Sequence, residues 1–141
     1  MKPSMRSCLL CLSLWLALAA KAQGVFPSAD GEPMRYAASI EMPKGYVSGI
    51  CVMRCDGDEV RGCLFNEFGV TAIDFTYCVR KQKVRLHSVL PMLDKWYIRR
   101  VLKKDLRQLM QQLQHGLTRY ENERQHITYQ LIPMAYDTQG E

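Results

Sequence analysis

No run of about 20 apolar residues, the length that a membrane span requires, occurs in this 141-residue sequence. The longest such stretch, Cys8 to Ala20, is shorter, which argues against a spanning helix and for an export signal. Lys2 and Arg6 make a positive start, and Ala20-Lys21-Ala22 supplies a small-x-small cleavage site. Residues 1–22 therefore read as a secretory signal peptide, and the exported chain is predicted to begin at Gln23. A lipoprotein signal needs a small residue directly before a cysteine that follows the apolar run. Cys8 and Cys11 both sit at the start of the run, so that signal is missing. A large excess of one charge is missing too. The chain has 19 Lys and Arg against 14 Asp and Glu, and three of the basic residues, Lys2, Arg6 and Lys21, fall in the signal. The exported part is nearly neutral, and its net charge gives no reason to expect nucleic acid as a partner. Repeats and low-complexity tracts are absent, and the length suits one small α+β domain over 34–136 with a modest core.

Four cysteines follow the signal: Cys51, Cys55, Cys63 and Cys78. Their spacing matches no zinc-ligand pattern, so neither a metal nor any other cofactor is expected. In an exported chain they are available for disulfides, and four allow three pairings. Plain buried thiols are the competing expectation.

What is present is alternation. Residues 23–33 are polar, with Gly24, Pro27, Gly31 and Pro33, and read as a disordered leader. MRYAASIEM alternates as a strand does. Pro43-Lys44-Gly45 marks a turn, YVSGICVMRC is rich in β-formers, and Asp56-Gly57-Asp58 signals a hairpin returning as VRGCLF. A three-residue loop would set Cys51 opposite Cys63, the candidate disulfide pair; a four-residue loop would set it opposite Leu64. In GVTAIDFTYCV, Thr71, Ile73, Phe75, Tyr77 and Val79 share one largely apolar face, with Asp74, Thr76 and Cys78 on the other. Asn66-Glu67-Phe68-Gly69 joins two strand patterns, with Asn66 suited to bond nearby backbone and Gly69 to take a positive φ. VRLHSV is a further strand. From Pro91 the period changes to three and four, through Ile98, Leu102, Leu106, Leu109, Leu113 and Leu117, which predicts one long amphipathic helix ending near Gly116. HITYQLIP is the last strand. The expected architecture is α+β: a mainly antiparallel sheet of about six strands, flat or curved, with the helix on one face.

The segments NEFGVTAIDFTY and KVRLHSVLPMLDKWYIRRVLKKDL resemble a family of small exported bacterial proteins of unassigned activity. These in turn distantly resemble the lipoprotein-carrier (LolA/LolB-type) group. The resemblance implies a curved sheet holding a lipid or lipid-linked ligand, a role in envelope lipid or lipoprotein transport, and no catalytic residues.

Enzymatic readings rest on Glu67 with Asp74 as a carboxylate pair, or Cys78 with His87 as nucleophile and base. Both need side chains to converge, and a turn glutamate or an exported thiol has commoner fates. No catalytic residues are expected. The most asymmetric feature is the helix's basic run: Lys95, Arg99, Arg100, Lys103, Lys104 and Arg107, interrupted only by Asp105. It reads as a solvated face or as a surface for an anionic membrane or acidic protein partner, with Trp96 and Tyr97 suited to a lipid–water boundary. The expectation is a soluble, non-catalytic periplasmic or secreted protein. Ile73, Phe75, Tyr77, Leu86, Leu102 and Leu106 are expected to line a ligand site between sheet and helix. The alternatives are a protein-interaction module of an envelope assembly and a small hydrolase.

Overall fold

The computed structural model describes residues 24–28 and 31–134; the expected export signal, residues 1–22, and the C-terminal tail lie outside them. The chain forms β1 (Met34–Met42), β2 (Gly45–Asp56), β3 (Glu59–Asn66), β4 (Thr71–Cys78), β5 (Lys83–Val89), a short 3-10 turn (Pro91–Leu93), α1 (Trp96–Gln114), β6 (Arg119–Asn122) and β7 (Ile127–Pro133). Every pairing is antiparallel, in the order β5-β4-β3-β2-β1-β7-β6. The seven strands curl into a half-barrel with α1 packed against it. The helix touches β5 and β6, the two edge strands, so it spans the mouth of the curl.

Alternation decides which face is buried. Tyr36, Ala38 and Ile40 point inward from β1, Cys51, Met53 and Cys55 from β2, and Ile73, Phe75 and Tyr77 from β4. Leu102, Leu106, Leu109, Met110 and Leu113 meet them from α1. Phe75 sits directly across from Gly62, where a Cβ would lie 2.4 Å from its ring, so β3 leaves room for the aromatic by omitting a side chain.

Four expectations change. A seventh strand, β6, exists; its four residues, RYEN, are too few and too polar to show alternation. The helix starts at Trp96 rather than Pro91, since Pro91 to Leu93 close only a 3-10 turn. The leader is partly packed: Val25 and Phe26 lie against the core, and Tyr36 donates a hydrogen bond to the Val25 carbonyl at 2.7 Å. Cys51 and Cys63 are not a disulfide. The β2–β3 loop holds two residues, Gly57 and Asp58, which pairs Asp56 with Glu59, Cys51 with Leu64 and Cys63 with Val52. Cys51 then faces the core and Cys63 the opposite side of the sheet. All four cysteines of the described chain are free thiols.

Candidate functional site

The side chains expected to hold a ligand do come together, but as core. Ile73, Phe75, Tyr77, Leu102 and Leu106 are all buried, and Leu86 is half-buried. The void between sheet and helix measures about 20 Å³, bordered by Ile73, Phe75, Leu106, Met53 and Tyr129 among others. That is water-sized space. The reason is bulk: Tyr36, Tyr77, Tyr129, Met53 and Met110 are among the largest fully buried side chains, and they fill the curl. Tyr77 also donates its hydroxyl to Gln114 Oε1 at 2.9 Å, tying the helix's last turn to β4. An acyl chain has no room beneath the helix in this packing.

Exposed apolar side chains collect instead at one end of the half-barrel. The Asn66–Gly69 turn is built by its asparagine: Asn66 Oδ1 accepts from the Phe68 and Val70 amides at 3.0 Å each. Gly69 supplies the positive φ of 75° that closes it. This holds Phe68 out at the tip, 87 % exposed. Beside it, Tyr46 from the start of β2 and Leu90 and Met92 after β5 surround a pocket of about 220 Å³ with Asn66, Glu67 and Phe68. Trp96, 75 % exposed, and Tyr97 follow at the first turn of α1, edge to face with centroids 5.8 Å apart.

The basic run starts at this end. Lys95, Arg100, Lys103, Lys104 and Arg107 are exposed. Arg99 differs: it is half-buried, paired with Asp94 at 2.9 Å and reaching the Leu86 carbonyl at 3.5 Å. Asp105 does not interrupt the basic face at all. It is 2 % exposed, on the buried side of the helix. Its Oδ2 accepts from the Tyr129 hydroxyl at 2.6 Å, and Asn122 Nδ2 lies 2.9 Å from Oδ1 and 3.1 Å from Oδ2. Burial, then this bond, pushes the Tyr129 phenol far above its ordinary range. The sequence offered one clue to the burial of Asp105, its place one residue before Leu106 in the leucine spacing.

The enzymatic candidates stay apart. Glu67 lies in the exposed turn and accepts from Ser48 Oγ at 2.7 Å. Asp74 is on the outer face of β4, 4.0 Å from Arg61. His87 Nε2 lies 2.6 Å from Thr76 Oγ1, while Cys78 pairs in register with Lys83 and Glu59. Among the described residues, no three His, Cys, Asp or Glu side chains group as metal ligands would, and no helix is long and apolar enough to cross a membrane. Comparison of the chain with protein-family models, curated proteins and solved structures finds no match.

Proposed function

We propose that this is an exported, non-catalytic protein that docks on an anionic lipid surface through its aromatic end. The observation that carries the reading is the exposure of Phe68, Met92, Trp96 and Tyr46 beside a helix presenting Lys95, Arg100, Lys103 and Lys104. Large apolar side chains held in water are costly to keep, and aromatic rings gain most at a headgroup boundary. Each lysine or arginine near an anionic surface adds about 1 kcal/mol. The ligand is bound at the surface rather than swallowed, because the space under α1 is filled. A lipid-linked protein or a bilayer both present this chemistry, and the apolar end suits either.

Co-sedimentation with vesicles tests it. Binding is expected to vesicles containing phosphatidylglycerol and to be weak on pure phosphatidylcholine. It should fall with salt, as screening shortens the electrostatic range to about 3 Å at 1 M. Phe68→Ser with Trp96→Ser should remove most of the binding at fixed salt. Lys103→Ala and Lys104→Ala should each cost about fivefold. Equal partition with and without anionic lipid, or no partition at low salt, refutes the reading. A protein-interaction module is the second reading, favoured by the filled core; it predicts no vesicle binding and a defined protein partner.

A further inference from the structure

The outer face of the sheet carries a feature that surface docking does not use. Antiparallel sheets with one face covered by a helix ordinarily turn polar side chains to water on the other. Here one register row runs across the four central strands as Ile132–Ala37–Ile50–Phe65. All four side chains point away from the helix. Ile50 is 41 % and Ile132 48 % exposed, and both line a shallow hollow of about 920 Å³ with Ala37, Val52 and Phe65. Nothing in the described chain covers it.

The rim of this hollow has a symmetry of its own. Arg35 lies on β1, one strand from Ile50 and in register with Val52, two residues along β2. Glu67 lies on the opposite side. It follows Asn66 at the end of β3 and bonds Ser48, two residues the other way along β2. Arg35 and Glu67 are thus related by inversion through Ile50, each about 7 Å along the strands and about 5 Å across them. A two-fold axis through Ile50, in the plane of the face and perpendicular to that diagonal, carries Arg35 of one copy onto Glu67 of another. The same operation lays Ile50 on Ile50 and crosses the two apolar rows. The strands then cross nearer to orthogonal than to aligned. A twisted sheet is saddle-shaped, and two such faces crossed this way close along one diagonal and splay along the other, so the contact is a strip through Ile50 rather than the whole face.

We propose that the outer sheet face is an isologous interface between two copies of this chain, centred on Ile50 and flanked by two Arg35–Glu67 pairs. An isologous contact needs a self-complementary patch, and opposite charges placed symmetrically about an apolar centre are one. The interface shares one edge with the aromatic end, since Tyr46 and Glu67 border both hollows, whereas Ile50 and Arg35 lie outside the docking surface.

Sedimentation equilibrium of the purified protein tests it. The wild-type protein is expected at twice the protomer mass. Ile50→Asp should be monomeric with unchanged circular dichroism, and its Tm, unlike that of the wild type, should not depend on protein concentration. Arg35→Glu should weaken association about tenfold or more, and combining it with Glu67→Arg should restore it. A monomer throughout the accessible concentration range overturns the proposal. So does a dimer that survives Ile50→Asp, or a charge exchange that fails to restore what Arg35→Glu lost.

Discussion

Replacing Tyr129 with phenylalanine removes one oxygen from the core and tests how α1 is held. Tyr129 is 1 % exposed, and its ring stacks on Tyr120 with centroids 6.1 Å apart. Tyr129→Phe keeps that ring in place, so the loss is the 2.6 Å hydrogen bond to Asp105 Oδ2. A bond to a charged group is worth about 1.5–3 kcal/mol, against about 0.5–1.5 for a neutral pair. The Asn122 amide remains on the carboxylate and limits the damage, which puts the expected cost near 2 kcal/mol. For a domain of this size that lowers Tm by roughly 8 °C. Urea unfolding followed by circular dichroism reads the cost directly, with an unchanged m-value showing that the folded state is intact. Asp105→Asn and the double variant complete a cycle, and the coupling should exceed about 1 kcal/mol because the two groups share one bond. A cost below about 0.5 kcal/mol, or additive single effects, would show that the Tyr129–Asp105 bond does not hold α1.

Two further outcomes follow from the thiols. Burial, and then the neighbouring Cys63, push Cys51 from 9.0 up to about 12. In the unfolded chain the thiol ionises near its ordinary value, so above about pH 9 the unfolded state binds fewer protons and stability falls as pH rises toward 12, at up to about 1.4 kcal/mol per pH unit. Tyr36, Cys51's partner in register, is raised by burial and adds to the same alkaline loss; urea midpoints that stay flat from about pH 8 to about pH 10, roughly one unit either side of the unfolded thiol, contradict this. Alkylation with peptide mapping should label half-buried Cys63 and Cys78 in the folded protein and reach buried Cys51 and Cys55 only on unfolding, whereas a peptide linking Cys51 to Cys63 would contradict the register.

Much of the fold is local, and local patterns are legible. The alternation of Ile73, Phe75 and Tyr77 marks the face that is buried, because side chains on a strand alternate whatever they pack against. The leucine spacing of α1 marks its inward side for the same reason. Asn66 and Gly69 carry their turn in their own chemistry, through an amide acceptor and a tolerated positive φ. Where the structure departs from the local pattern, the deciding contact is remote. Asp105 sits among lysines in sequence and its partners are 17 and 24 residues away, so beyond its place in the leucine spacing nothing nearby signals its burial. Cys51 and Cys63 depended on one residue of loop length, and a shift of one reverses every facing.

The candidate site divides in the same way. The basic run and the aromatics beside it were visible, since a helical period sorts charges onto a face without help from the rest of the chain. Phe68, Tyr46 and Met92 come from three separate places in the chain, two connections and the start of β2, and only the tertiary fold gathers them at one end. Likewise, composition could nominate Ile73, Phe75, Tyr77 and Leu106 as apolar neighbours, but whether they border a cleft or fill a core is a question of volume. Volume is settled by how many large side chains converge from distant strands. By itself the sequence determined the strands, the long helix, the buried faces and the turn at Asn66, since these follow from spacing and backbone preference. Only the tertiary structure decided the register, the closed interior and the exposed end, because each depends on where segments far apart in the chain finally meet.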